Sequence, residues 1–256
     1  MKNFLLVLLT IGCGVILFFG NMYWQDRTAV SSSNQLSLAE SKPDSVPAEQ
    51  HAFPYSNWPE KAKVAYKAAV ESGEAFKLAI VGSTALGKEE NGWSVQLKDA
   101  LEEEFGSTLD VSIFQWDTDS LQFVNGEDVD EVISLAPDMV LYEPFALNNN
   151  SVGVNAEDNL DSIDIFRRKL METNEDTVLI LQPTHPIYGA TYYPRDVGKL
   201  KEYAEEKEIP YLDHWKAWPS DESLKDYLVD TQDTPNEEGH SLWAGYLEDY
   251  FISHQE

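Results

Sequence analysis

Cysteine is almost absent. The 256-residue chain has one, Cys13, inside an apolar head. The remainder therefore has no internal disulfide and no cysteine-based zinc site. Positive charge is scarce as well. Eighteen Lys and Arg stand against 45 Asp and Glu, a net charge of −27. Such a surface repels phosphate backbones and anionic lipid heads, which excludes nucleic acid and an anionic membrane surface as main partners. No spaced D-x-D-x-D-G loop accompanies the acidity, so the carboxylates read as a solvating surface and not as calcium sites. The Gly-Lys-Ser/Thr of a P-loop, the GxGxxG spacing and any internal repeat are also missing. Neither a metal nor an organic cofactor is expected.

Long apolar runs are confined to the head. Phe4 to Gly20 carries no charge. As a helix it spans roughly 26 Å, enough to reach across a bilayer, with Met22, Tyr23 and Trp24 at the interface. Lys2 before it favours an N-terminus inside and a domain outside. A cleaved signal peptide is the rival, although Ala29-Val30-Ser31 lies well past the apolar run, and Ile11-Gly12-Cys13 makes a poor lipobox. Either an anchor or a signal sends the domain out of the cytoplasm. The expected organisation is a signal-anchor over 1–24, a Ser-, Pro-, Gln- and Glu-rich linker over 25–58, and one domain over 59–256.

Within that domain apolar strands and amphipathic helices alternate. Strands are expected at Phe76–Val81, Leu109–Trp116, Asp138–Tyr142, Thr177–Leu181 and Ile209–Leu212. Helices are expected at Lys61–Glu71, Trp93–Phe105, Val129–Leu135, Asn159–Glu172, Val197–Glu206 and Glu237–Ser253. Nearly continuous apolar strands need cover on both faces, which points to a parallel sheet between helical layers. The fold class is therefore α/β, a flavodoxin-like three-layer α/β/α sandwich. In such folds sites form in the loops at the carboxyl ends of the strands.

Four of those loops carry candidate chemistry. Gly82-Ser83-Thr84-Ala85-Leu86-Gly87 follows the first strand. A hydroxyl at such a turn can be presented beside backbone N–H groups aimed at an oxyanion, though a plain capping turn fits it too. Tyr142 to Asn150 follows the third strand, and reads as a polar loop with side-chain amides. Gln182-Pro183-Thr184-His185 follows the fourth. Asp230 to Ala244 leads into the last helix, where His240 shares a face with Trp243, Leu247 and Phe251, as a half-buried packing histidine also would.

In this order the blocks resemble the SGNH/GDSL hydrolase family, over about Phe76 to Phe251. The closing P-N-x-x-G-H and the segment E-P-F-x-L-N look like a Firmicutes-type, membrane-anchored subgroup of it. The resemblance implies a serine esterase or acylhydrolase acting on an ester, O-acetyl above all, of a carbohydrate or cell-envelope polymer. It implies a nucleophile in the first block, an oxyanion hole from Asn148 and the backbone at Ser83, and a histidine base with an aspartate. The chain departs from the pattern at two places. The first block reads Gly-Ser-Thr in place of Gly-Asp-Ser, so Ser83 is the nucleophile or Thr84 stands in the serine's place; Ser83, with the less hindered primary hydroxyl, is preferred. In the family's D-x-x-H-P-N the histidine precedes the proline, whereas here that position is Thr234. His240 with Asp230 or Asp233, His185 from the neighbouring loop, or a scaffold that has lost its base are the three readings left open. His214 ranks behind both other histidines. An inactive binding or envelope-assembly module, with Tyr188, Tyr192, Tyr193, Trp215 and Trp218 stacking on sugars, and an O-acyltransferase are the alternative functions.

Overall fold

The computed structural model describes residues 53–89 and 91–253. The apolar head, most of the linker, His51 and His254 lie outside the described residues, and with them the anchor and its possible cleavage. Among the described residues no helix is long and apolar enough to cross a membrane.

Four parallel strands form one sheet in the order β2-β1-β3-β4: β1 Phe76–Gly82, β2 Leu109–Gln115, β3 Met139–Tyr142 and β4 Val178–Leu181. Adjacent residues of each strand point to opposite faces, and both faces are apolar. Leu78 and Ile80 of β1 join Met139, Leu141 and Ile180 on one side, while Ala79 and Val81 join Val140, Leu179 and Leu181 on the other. On the first side pack α1 (Glu60–Ser72), α2 (Trp93–Phe105) and, near the C-terminus, Glu237–Phe251. On the second pack α3 (Ser120–Asn125), α4 (Asp128–Leu135), a long helix over Ala156–Thr173 and another over Tyr193–Glu206. This is the three-layer sandwich that the strand composition requires, since a sheet apolar on both faces is stable only when both are covered. Fully burying a side chain such as Phe76, Leu78 or Phe166, all 0% exposed, contributes about 1.5–3 kcal/mol.

The structure adds the short helix α3, which is not among the expected elements, and departs from the expectations in four further places. Tyr55 and Trp58, which composition put with the linker, sit in the core, and the Trp58 indole donates to the Phe251 carbonyl at 2.8 Å. Tyr193 begins its helix four residues ahead of Val197, with Pro194 tolerated in the first turn. Ala146–Val152, read as polar loop, is a short helix, α5, so the helices over Ala156–Thr173, Tyr193–Glu206 and Glu237–Phe251 are α6, α7 and α8. Its Asn residues face outward apart from Asn149, which is buried and ties Ser120 N–H to the Pro144 carbonyl. Finally, Ile209–Leu212 is not a strand: Tyr211 makes a single bridge to Leu181. Pro210 lacks the N–H that a longer ladder needs.

Candidate active site

The carboxyl ends of β1, β3 and β4 open onto one cleft of about 640 Å³. Thr84 from the β1 loop, Asp117 from the β2 loop, Leu147 and Asn148 of α5, Ile187 from the β4 loop, Tyr193 at the start of α7, and Thr231 to Thr234 are among the residues that line it. The sequence places chemistry at the same strand ends, and the structure brings Thr84, Asn148 and Asp233 to one cleft.

The β1 turn explains itself residue by residue. Ser83 is extended and caps a single 3-10 turn, Thr84–Leu86, its Oγ accepting from Ala85 N–H at 3.3 Å. Ser83 is buried, whereas Thr84 is exposed on the cleft. The Ser83 N–H donates to Glu143 Oε2 at 2.9 Å and so is unavailable to an oxyanion. The Thr84 N–H has no acceptor among the described residues. Gly87 ends the turn in the left-handed region, at φ 68°, and a side chain there would strike the His240 ring. Across the cleft the Asn148 amide gives one N–H to Asp117 Oδ1 at 3.2 Å and keeps its second.

Glu143, immediately after β3, was not a candidate from sequence. It is wholly buried. Its carboxylate accepts from Ser83 N–H, from the Thr184 hydroxyl and from Ala146 N–H at 3.3 Å. Gly82 makes room for it, since a Cβ there would lie 2.9 Å from Glu143 Cβ. The next residues turn sharply: Phe145 is left-handed at φ 55°, strained for a side chain of its size. An acidic residue directly after an all-apolar strand, ahead of a proline, is the signal that marks it.

The histidines differ in what their ring nitrogens do. His240 Nδ1 accepts the Trp93 N–H at 3.2 Å, so its hydrogen sits on Nε2 and no lone pair is left for a base. Neither Asp230 nor Asp233 bonds to it among the described residues; Asp233 instead takes the Thr231 hydroxyl at 2.5 Å, and Asp230 is exposed. His185 has the reverse arrangement. Its Nε2 lies 3.2 Å from the Gln232 carbonyl, which only accepts, so Nε2 carries the hydrogen and Nδ1 is left buried with its lone pair unpartnered. His214 is satisfied at both nitrogens, by the Pro183 carbonyl and the Trp218 indole, and stacks on Trp243 at 4.0 Å. Burial lowers His185 to about 4, His240 to about 4 and His214 to about 3; the Gln232 bond and Asp233 partly offset this at His185.

Of the aromatics expected at the site, Tyr193 lines the cleft and donates to the His185 carbonyl. Tyr188 and Tyr192 are exposed and are not among the residues that line the cleft. Trp218 is core, and the Trp215 indole is bonded to the Thr184 carbonyl. Among the described residues no group of three or more His, Cys, Asp or Glu is arranged to hold a metal.

No protein-family model matches the chain, and no curated protein matches it in sequence. Solved structures do match in fold. A lipolytic protein of the G-D-S-L family from Desulfitobacterium hafniense is 20% identical, with a TM-score of 0.55 over 68% of this chain and 98% of its own. A carbohydrate esterase family 3 protein from Talaromyces cellulolyticus is 15% identical, with a TM-score of 0.56 over 68% and 94%. An acetyl esterase variant with acetate ion gives the same identity, TM-score and coverage. The fold is that of the SGNH/GDSL hydrolases.

Proposed function

We propose that this chain, built on the fold of the SGNH/GDSL hydrolases, is an esterase that removes an acyl group from a carbohydrate or cell-envelope polymer. The observation that carries the reading is the β1 turn. It sets a hydroxyl, a free backbone N–H and the Asn148 amide around one cleft at the strand ends.

The Thr84 hydroxyl attacks the acyl carbon and its proton passes to His185 Nδ1. The Gln232 carbonyl holds the opposite ring nitrogen, as an orienting acceptor does for a catalytic histidine. The oxyanion is taken by the Thr84 N–H and the free N–H of Asn148. Collapse expels the sugar alcohol with the proton from His185, and water then cleaves the acyl-enzyme by the same route. Ser83 is the alternative nucleophile: its oxygen is primary and less hindered, but it is buried and caps the turn. His185 is favoured over His240, with Asp230 or Asp233, because it alone of the two has a free lone pair. Exposed Tyr188 and Tyr192, next in sequence to the lining residues Ile187 and Tyr193, suit sugar faces, and two of the matched folds are named as a carbohydrate esterase and an acetyl esterase. The extracytoplasmic setting belongs to the same proposal and rests on the apolar head alone.

A second reading has one observation in its favour: no histidine is among the residues lining the cleft. On that reading the chain binds polysaccharide without turnover. A fluorophosphonate probe on the full chain, followed by peptide mass mapping, separates the two. The expected adduct is on Thr84, with labelling slowed about 100-fold by His185→Asn and little changed by His240→Gln. An adduct on Ser83 moves the nucleophile by one residue. A folded chain that takes no label, turns over no ester and binds polysaccharide saturably is the binding module.

A further inference from the structure

Glu143 has no part in the chemistry just described, yet it is a wholly buried acid, and among the described residues no Lys, Arg or His pairs with it. A buried carboxylate without a counter-ion is costly unless its oxygens are fully hydrogen-bonded. Here each of its three donors belongs to a different stretch of chain. Ser83 N–H comes from the loop after β1, Ala146 N–H from the start of α5, and the Thr184 hydroxyl from the loop after β4. Two of these stretches continue directly into the cleft wall, Thr84 following Ser83 and Leu147 and Asn148 following Ala146, while the third leads from Thr184 to the buried His185.

We infer that Glu143 is a positioning residue, the single joint that fixes the nucleophile turn, the oxyanion amide and the histidine loop relative to one another. The assignment of those three roles rests on the esterase reading; the joint itself rests on the hydrogen bonds. Charge-assisted bonds are about twice as strong as neutral ones, so a carboxylate holds three loops where an amide would not. Glutamine in its place keeps the shape and loses one acceptor oxygen. The NH₂ then faces either the Ser83 N–H or the Ala146 N–H and Thr184 hydroxyl side, and donors oppose each other. A displacement of about 1 Å among reacting groups is enough to lower turnover about 100-fold without changing how ground-state substrate is held.

The test uses the full chain and two readouts. In Glu143→Gln, amide hydrogen exchange is expected to quicken together in peptides covering 82–87, 144–149 and 183–187. On an acetyl ester, kcat is expected to fall at least 10-fold with KM within about threefold. Faster exchange confined to 144–149, or a kcat within twofold of the parent, overturns the joint. If the parent turns over no ester, the esterase reading fails and the exchange pattern alone decides on the joint. If Glu143→Gln does not fold, Thr184→Val carries the test. It removes one donor, and exchange must still quicken at 82–87, to which Thr184 makes no hydrogen bond among the described residues. Unchanged exchange there overturns the joint equally.

Discussion

Two glycines of one helix illustrate how a single position is set by its neighbours. Gly239 and Gly245 both lie in α8, and both would gain from alanine on helix propensity alone, by about 1 kcal/mol. Around Gly245 nothing lies within 4 Å of an added Cβ, so Gly245→Ala should raise stability by up to that amount. At Gly239 an added Cβ drives into the Tyr227 carbonyl, with Pro235 at 3.0 Å and Trp218 at 3.2 Å. Gly239→Ala should therefore cost about 2–3 kcal/mol, and the melting temperature should drop by about 5–10 °C. Thermal unfolding of the two variants, read side by side, checks the opposite signs. At this scale the sequence was readable where side chains speak for themselves, as in the G-S-T turn and the amides after β3. It was not readable where a role depends on what another loop brings. Glu143 stands out among 45 acidic residues only by its place after an apolar strand and ahead of a proline, which does not say what it holds. The difference between His185 and His240 depends on two backbone groups, the Gln232 carbonyl and the Trp93 N–H, which no side-chain pattern announces.

Among the elements, α8 has the most informative beginning. Asn236 caps it, accepting from Gly239 N–H at 3.0 Å. The same side chain donates to the Asp226 carbonyl at 2.7 Å and the Leu228 carbonyl at 3.4 Å, which fastens the helix start to the 3-10 turn over Glu222–Tyr227. At an ordinary helix start Asn and Asp are equivalent caps. Here Asn236→Asp keeps the cap but sets a carboxylate against two carbonyls. It should be destabilised by about 1–2 kcal/mol, close to Asn236→Ala, in chemical denaturation. An aspartate variant as stable as the parent would mean that the two donated bonds contribute nothing. The elements themselves were mostly legible, because β1, β3 and β4 are apolar on both faces, β2 alternates, and α2, α6 and α8 keep a clean inward stripe. The exceptions have local causes. The Asn run of α5 favours turns in isolation and becomes helical because Asn149 is bonded from both sides. The stretch Ile209–Leu212 has strand composition but pairs at one residue only.

Over the whole molecule, protons act on the fold through three buried histidines. His185, His214 and His240 are held at about 4, 3 and 4, below the roughly 6.5 of an unfolded histidine. Between those values the unfolded chain binds more protons than the folded one. Stability from these groups is thus complete above about pH 6.5 and is lost as pH falls toward 4. Protonation of carboxylates, which eases the self-repulsion of a chain at −27, sets in mainly below about pH 5. The histidine effect is therefore cleanest from about pH 6.5 to 5, where the urea midpoint should decline steadily; a flat profile there would contradict neutral burial. The architecture also keeps apart what touches a ligand and what holds the loops. None of the three donors to Glu143 lines the cleft, whereas the residue next to each of Ser83 and Ala146 does. A side chain that faces the cleft can therefore be exchanged while all three donors to Glu143 stay in place.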